Sequence, residues 1–423
     1  MSGIHQFAYS SSKKTCSIAF TCHQKLQPEW AGYINAVAAH LLDYDDMYYD
    51  GFIHPGAIVF STAFAVAQEQ KSSYQDFIEA VAVGYEVGIM LSRAQAAEGM
   101  ARTFQRGINV TSTIGAIIAS AVTAKLKKFP HELTQQSICQ AAALATGFIH
   151  GVHTKNALSL MYCFGWAVHS GILAARAAES GMRIDPSIFE DEQGYFNAFA
   201  SDPKKSVASF RKSEKLHINQ ISIKRFPCVG NIQPAINIAH DLLKQKKITP
   251  LEIKSITVKV NHATYIECCV PKKDKQNPKS KNQGMLSLSF SLALMLKYGR
   301  LSVDMYNDQN IPPTPDLVKL MAVMHFVDDD ELTNHPDYQN DFPAHVAISL
   351  QDGTTVEAFR HYHDGDYRTA MSDKSLKSKF YETNQHHYDD ITIKKLQKQI
   401  DDLQQCENLD QFCQNLNQLL IVS

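Results

Sequence analysis

The segment from about Glu29 to Gly181 constrains the fold most, because it predicts one helix after another. These helices carry many Ala, Gly and Ser residues, and small side chains let helices approach each other closely. We therefore predict a tightly packed all-helical domain, although small residues are also common where helices of two subunits meet. One clear stripe of apolar residues at helical spacing comprises Ile78, Val81, Ala82, Tyr85 and Ile89.

The sequence changes character near His217, where apolar and polar residues begin to alternate as they do in half-buried strands. Ile256, Val258 and Val260 predict one strand. Asp352-Gly353, between two further alternating runs, predicts a hairpin. Helical stretches are predicted between the strands, over 286–297 and 317–326. We interpret this part as an α+β domain with an antiparallel sheet.

The predicted architecture is therefore mainly α. A large all-helical domain is formed by residues 1–216 and 363–423, and an α+β domain of residues 217–362 is inserted into it. The C-terminal helices carry the apolar face of Leu396, Ile400 and Leu403, which predicts that they pack back onto the helical domain.

Composition excludes several functions for this 423-residue chain. Its formal net charge of -2 gives no bulk electrostatic reason to bind nucleic acid or an anionic membrane. No apolar run approaches the roughly 20 residues of a membrane helix, and the start of the chain lacks a signal peptide pattern. Nine cysteines without a Cys-x-x-Cys spacing favour a reducing compartment. We expect a soluble, cytoplasmic protein.

Two histidines and three acids lie within twenty residues of each other, between Asn35 and Gly56. The run starts as an apolar helix and then turns polar, so its carboxylates fall where the helix should end. Carboxylates there oppose the negative end of the helix dipole. Folding alone gives little reason for this arrangement, which therefore indicates a functional site. The charged residues are His40, Asp43, Asp45, Asp46 and His54.

This run resembles the signature of the MmgE/PrpD family, in which Asn and His-x-Leu-Asp-aromatic-Asp-Asp precede His-Pro-x-Gly. Further matches follow in the family's order: Gly84-Tyr85-Glu86-Val87, Gly165 to Gly171, and Lys224-Arg225-Phe226-Pro227-Cys228. The resemblance implies a helical domain with an inserted α+β lid domain and an active site between them. It also implies a small di- or tricarboxylic acid as substrate, with no metal and no organic cofactor. We expect the small-residue helices to pair two copies as a homodimer.

By this resemblance, Asp43 and His54 are candidate catalytic residues that handle the proton, and Lys224 is a candidate cation for the substrate. The alternatives are a carboxylate bonded to backbone amides, a structural turn histidine and a surface lysine. The predicted substrate-binding residues are Arg225, which could form a bidentate pair with a carboxylate, together with Gln105, Arg106 and Lys155.

The chain departs from the family pattern at several polar positions. Each change removes a hydrogen-bond donor or a proton carrier; the residues present are Met47, Gln105, Leu160, Val229 and Phe290. Three functions therefore stay open. The first is a cofactor-independent lyase, either a dehydratase or a decarboxylase. The others are an isomerase or epimerase of a related acid, and an inactive or ligand-binding homologue.

Overall fold

A computed structural model describes residues 15–96, 106–150, 158–200, 202–209, 216–338 and 340–421. The chain forms two compact units. The first contains Met1–Leu41, Asp45–Ile221 and His387–Ser423, and the second contains Leu42–Tyr44 and Ser222–His386. The fold is mainly α with a small α+β region, as the sequence predicted.

The first unit is helical. Numbered along the chain, its longer helices are α1 (Pro28–His40), α2 (Pro55–Gln70), α3 (Tyr74–Gln95), α4 (Val110–Leu126), α5 (His131–Ala143), α6 (Leu158–Glu179), α11 (Asp390–Asp401) and α12 (Leu409–Ile421). Shorter segments are helices Tyr195–Phe199 and Pro203–Ser209, 3-10 turns Tyr49–Gly51, Pro186–Phe189, His217–Gln220 and Asp402–Gln405, and strands β1 (Ser17–Ile18), β2 (Lys25–Leu26) and β3 (Asp46–Met47).

Small residues bring the helices of this unit close together. α4 is buried along nearly its whole length and packs against α3 and α6. A Cβ atom added at Gly171 of α6 would lie 2.3 Å from the carbonyl oxygen of Ala116 in α4. Leu409 and Phe412 of α12 join the same core, so this C-terminal helix packs on the helical unit.

Single residues mark the end of α6 and the start of α5. Gly181, which adopts a φ of +95°, lies two residues after the end of α6. α5 begins at His131, and the hydroxyl of Thr134, in its first turn, donates to the carbonyl oxygen of Phe129.

The second unit combines helices with a sheet. Its longer helices are α7 (Gln233–Lys246), α8 (Leu288–Tyr298), α9 (Pro315–Ala322) and α10 (Asp373–Asn384). Shorter segments are helices His262–Thr264, Lys272–Lys275, Lys281–Met285 and Asp330–Asn334, π-helical Tyr265–Cys269, and 3-10 turns Gly230–Ile232, Pro250–Glu252, Val303–Met305 and Pro336–Tyr338. The strands are β4 (Ser222–Ile223), β5 (Ile253–Val260), β6 (Met324–Asp328), β7 (Ala344–Leu350) and β8 (Thr355–Arg360).

Strands β6, β5, β7 and β8 form one sheet in that order. The predicted hairpin is confirmed: β7 and β8 pair antiparallel across a turn in which Gly353 has a φ of +88°. The buried residues of β5 face those of β7, for example Val258 opposite Val346. These side chains form part of a second hydrophobic core.

Two predictions for this unit were wrong. The helix predicted over 317–326 ends at Ala322, and the residues that follow form β6. β6 pairs parallel to β5, so the sheet is mixed and not antiparallel. Met324 is fully buried, and the ladder to β5 supplies its backbone partners.

The second unit also runs past the limit predicted at residue 362. Asp364 accepts a hydrogen bond from the side chain of Asn237, and its backbone amide donates to the same residue. Lys379 of α10 donates to the carbonyl oxygen of Lys224. These bonds hold residues 363–386 on the α+β unit. Among the described helices, none is both long and apolar enough to cross a membrane.

Candidate functional site

The polar run of the first unit lies between α1 and α2. α1 ends at His40, and His54 occupies the N-cap position of α2. Pro55 follows as the first helical residue, where its fixed φ suits a helix start and its missing N–H costs nothing. The sequence therefore places one histidine at each end of a short connecting segment.

His40, Asp45 and His54 come together at this point. The Nδ1 atom of His40 lies 2.9 Å from Oδ2 of Asp45, and the Nδ1 atom of His54 lies 3.4 Å from Oδ1 of the same carboxylate. The His54 Nδ1 atom is also 3.1 Å from the carbonyl oxygen of Asp46. One buried carboxylate thus contacts two imidazoles.

The pKa values of the neighbouring carboxylates Asp45 and Asp46 are shifted in opposite directions. His40 and His54 hold the pKa of Asp45 well below its usual range, against the desolvation that burial imposes. Burial, and then the charge of Asp45, raise the pKa of Asp46 to about 7. Asp46 accepts hydrogen bonds from the Tyr85 hydroxyl at 2.8 Å and from the Gly56 amide at 3.1 Å.

Aromatic rings fix the two imidazoles. The His40 ring stacks on Phe164 of α6, with ring centroids 4.2 Å apart, and its centroid is 4.5 Å from that of His54. Only 4% of His40 is exposed. The imidazoles therefore have little freedom to leave the Asp45 carboxylate.

Lys224 and Asp43 form an ion pair within the second unit. The Lys224 ammonium donates a short hydrogen bond to the Asp43 carboxylate and a second, of 3.2 Å, to the Asp43 carbonyl oxygen. Lys224 is 1% exposed, so its charge is buried and paired. Asp43 has a φ of +46°, which turns the chain and brings both of its acceptors to the ammonium.

Tyr44 and Lys379 hold the chain around this pair. The Lys379 ammonium lies 3.8 Å from the centre of the Tyr44 ring and donates to the carbonyl oxygens of Tyr44 and Lys224, each at 2.9 Å. The Tyr44 hydroxyl in turn donates to the carbonyl oxygen of Arg225. Residues 42–44 are therefore fixed on the α+β unit although their sequence neighbours belong to the helical unit.

Arg225 lies in a cavity of the second unit, with a volume of about 410 Å³. Its guanidinium is 3.6 Å from the Glu382 carboxylate and 5.3 Å from the centre of the Phe226 ring. Charged and polar residues of the cavity include Arg300, His240, Gln385 and His386.

The remaining predicted binding residues are less informative. Gln105 and Lys155 lie outside the described residues. The guanidinium of Arg106 donates to the backbone carbonyl oxygens of Ala198 and Ala200, so in this structure it ties together parts of the helical unit. Its contact with a substrate stays a prediction.

The departures from the family pattern are mostly apolar and packed. Met47 is 4% exposed, and Phe290 is fully buried. Val229 packs against the core of the second unit. Leu160 belongs to α6, and its side chain lies outside the described part of the chain.

The sequence prediction did not name His40, Asp45, Asp46 or Tyr85 among its candidate catalytic and substrate-binding residues. The first three belong to the polar run that singled out this segment, so the run itself was the available signal. For Tyr85, the sequence contained no signal beyond its place in the Gly-Tyr-Glu-Val match.

Two imidazoles and one carboxylate are also ligands that transition metals accept. The ligand atoms of His40, Asp45 and His54 lie within 4.8 Å of one another.

Comparison with known proteins shows the family to which this chain belongs. The sequence-family model of the MmgE/PrpD N-terminal domain matches residues 3–208, and the family model of the MmgE/PrpD C-terminal domain matches residues 226–405. The chain belongs to the MmgE/PrpD family. It is 24% identical over 406 residues to the cis-aconitate decarboxylase of Homo sapiens, covering 91% of this chain and 79% of that protein. For the cis-aconitate decarboxylase of Mus musculus, the identity is 22% over 371 residues, with 84% and 72% covered.

Proposed function

We propose that this protein is a lyase that removes water or CO2 from a small di- or tricarboxylic acid by proton transfer next to a carboxylate, without an organic cofactor. The observation that carries the proposal is the orientation of His54. Its Nδ1 atom faces two oxygen acceptors, the Asp46 carbonyl at 3.1 Å and the Asp45 carboxylate at 3.4 Å. Family membership and the two cis-aconitate decarboxylase relatives support the reaction class.

This orientation determines which ring nitrogen reacts. When Nδ1 carries the proton, the lone pair resides on Nε2, which can then accept a proton. In a dehydration, Nε2 takes the proton from carbon, the C–H electrons form the C=C bond as the C–O bond breaks, and a solvent proton converts the departing hydroxide into water; the imidazolium then gives its proton to solvent. In a decarboxylation, the electrons of the broken C–C bond stay on carbon, and an imidazolium that has first taken a proton from solvent at Nε2 gives it to that carbon.

The Lys224–Asp43 pair supplies the cation that such a substrate needs. Asp43 precedes Asp45 by two residues, and we propose that the pair serves the same reaction. In the structure, the Asp43 carboxylate is paired with the Lys224 ammonium. A substrate carboxylate would compete for that place and release Asp43 to act as a base or to orient a histidine. Arg225, Gln105, Arg106 and Lys155 are the further proposed contacts to substrate.

Proton NMR in deuterated buffer tests this function on a panel of citrate-like and succinate-like acids. We expect one panel member to lose water or CO2, and the His54→Gln variant to lose at least about 100-fold in rate, the lower range for a general acid–base group. The matched control is His262→Gln. His262 also pairs with an aspartate, Asp328 at 2.7 Å, but lies on the exposed surface of the second unit.

The same spectra separate the remaining alternatives. Exchange of a carbon-bound proton for deuterium without loss of water or CO2 would favour an isomerase or epimerase. A folded protein that neither exchanges nor consumes any panel member would contradict the lyase and support an inactive homologue. Equal rates for His54→Gln and His262→Gln would remove His54 from the mechanism.

A further inference from the structure

Glu267 is a partly buried carboxyl group of the second unit. It belongs to the π-helical segment Tyr265–Cys269, and π-helical segments often occur at functional sites. Its Oε2 atom accepts a hydrogen bond of 2.6 Å from the Nδ2 atom of Asn231. Because Asn231 is only 2% exposed, its amide holds one oxygen of the Glu267 carboxyl group from the interior of the unit.

Two buried oxygen atoms near this contact have no hydrogen-bond partner among the described residues. They are Oδ1 of Asn231 and Oγ1 of Thr264, and the segment His262–Thr264 packs against Gly230–Ile232. Buried polar atoms of folded proteins almost always have a partner. The two oxygens therefore indicate that a polar molecule, either a ligand or water, binds next to the Asn231–Glu267 pair.

The environment of Glu267 favours its neutral form. Burial raises the pKa of this carboxyl group above its usual value near 4.5, against the Lys275 ammonium and the Asn231 amide, which lower it. The charge of Asp43 also raises this pKa, and that of Lys224 lowers it. Glu267 thus lies within electrostatic reach of the Lys224–Asp43 pair. When neutral, it carries an O–H group that can donate a hydrogen bond to an anion.

We propose that Glu267, positioned by Asn231, binds a carboxylate of the substrate together with Lys224 and stabilises the negative charge that develops there. This inference rests on the proposed function, in which a proton or CO2 is lost next to a carboxylate. The electrons left on carbon spread into that carboxylate, whose oxygens then attract hydrogen-bond donors more strongly than before. Lys224 supplies a cation, and Glu267 supplies a neutral donor.

Asn231 determines which oxygen of Glu267 carries the proton. Its Nδ2 atom donates to Oε2, so Oε2 acts as the carbonyl oxygen of the neutral carboxyl group. The O–H group is then formed by Oε1, which is the atom that donates to the substrate.

Calorimetric titration with succinate and with tricarballylate tests the binding role without turnover, since neither acid has a hydroxyl group to lose as water. We expect the wild-type affinity for at least one of them to fall between pH 6 and pH 9. The fall should be at most about tenfold per pH unit, because ionised Glu267 repels a carboxylate. Glu267→Gln stays neutral at every pH, so its affinity should fall less.

Two further variants separate Glu267 from other titrating groups. Glu331→Gln changes an exposed glutamate of the same unit and should keep the wild-type pH dependence. Asn231→Ala removes a hydrogen bond that lowers the pKa of Glu267. It should therefore move the loss of affinity to higher pH, a shift that a purely structural role of Asn231 would not produce.

Turnover of the panel acids tests the stabilising role. Glu267→Ala should lose about 100–1000-fold in kcat, the range for removal of one donor to a developing oxyanion, with a smaller change in KM. Glu267→Gln should retain more activity than Glu267→Ala, because an amide is also a neutral donor. Circular dichroism checks that the variants fold, and Glu267→Gln keeps the size of the side chain.

The results distinguish this inference from the proposed function. A panel acid that is turned over with equal kcat by wild type and by folded Glu267→Ala would overturn the inference and leave the lyase standing. Binding with the expected pH dependence, but without turnover of any panel acid, would contradict the lyase and support the carboxylate site. Equal pH dependence in wild type and Glu267→Gln, or no binding of either probe, would overturn the inference and assign the space beside Asn231 to water.

Discussion

Asp45 and Asp46 show how the environment of a single residue sets its chemistry. They are adjacent in the chain and of the same type, yet the imidazoles of His40 and His54 stabilise a charge on Asp45 only. Asp46 faces the Tyr85 hydroxyl and the Gly56 amide, and its burial opposes ionisation. The site therefore contains an ionised carboxylate next to one that exchanges its proton near neutral pH.

The raised pKa of Asp46 predicts a pH-dependent stability. An aspartate titrates near 3.8 when unperturbed, and here the pKa is about 7. The folded state thus holds its proton more tightly than the unfolded state, so stability is lost as pH rises from about 4 through 7. Asp46→Asn should remove this loss, which is at most about 4 kcal/mol for the full shift.

Urea unfolding at pH 5 and pH 8 measures the effect. The difference in unfolding free energy between Asp46→Asn and wild type should shift in favour of the variant from pH 5 to pH 8. Asp337→Asn, which changes an aspartate with an 80% exposed side chain, is the control and should show no such gain. A constant difference between Asp46→Asn and wild type at both pH values would refute the interpretation.

The buried Lys224–Asp43 pair predicts a large cost for removing one partner. Lys224→Met leaves the Asp43 carboxylate without its cation, and breaking a buried pair in this way costs roughly 3–5 kcal/mol. Adding Asp43→Asn to Lys224→Met should recover part of that loss. Lys254→Met, at an exposed position of the same unit, should change the unfolding free energy by less than about 0.5 kcal/mol. Equal effects of Lys224→Met and Lys254→Met in urea unfolding would show that the pair is not buried in solution.

At the scale of elements, close helix packing explains why the helical unit uses small residues. Gly171 lies where α6 touches the backbone of α4, whereas Gly32 of α1 faces the end of a Val168 side chain. An added methyl group would meet the Ala116 carbonyl oxygen at 2.3 Å in the first case and a valine methyl at 2.7 Å in the second. A backbone carbonyl cannot rotate away, but a side chain can.

Gly171→Ala should therefore destabilise the protein by roughly 1–3 kcal/mol, the usual cost of overpacking. Gly32→Ala should cost less, because Val168 can adjust and alanine favours a helix over glycine. Thermal unfolding of the two variants measures the difference. A larger loss for Gly32→Ala would contradict the packing argument.

The elements also show where periodicity fails. The hairpin of β7 and β8 was predictable, because alternation and an Asp-Gly turn act locally. The stretch that ends in β6 was not, because its apolar residues fit a helix as well as a strand. These residues form a strand because they pair with β5, which lies more than 60 residues earlier in the chain.

At the scale of the whole molecule, exposed apolar residues on α6 support the predicted homodimer. Tyr162, Trp166 and Leu173 are each 37–39% exposed. Burying them against a second copy would remove apolar area from water, at about 25 cal/mol per Å². Light scattering should give twice the chain mass of 47.3 kDa.

Leu173→Lys should shift this mass toward one chain. Leu251→Lys, at a 91% exposed leucine of the second unit, should leave the dimer intact. A wild-type protein that is monomeric at micromolar concentration, or a dimer that tolerates Leu173→Lys but not Leu251→Lys, would contradict the use of α6.

The sequence by itself determined the helical character of the first unit, its small-residue packing, the change to strands, and the polar run from His40 to His54. These follow from local periodicity and residue size, which every short segment carries with it. Only the tertiary structure decided that Asp45 would join the two histidines, that Asp43 would pair with Lys224, and that β6 would be a strand. The Lys224–Asp43 pair and the β5–β6 pairing join residues that are far apart in the sequence. The Asp45 contacts depend on the path of the chain between α1 and α2, which includes the turn at Asp43. None of these features produces a local sequence pattern.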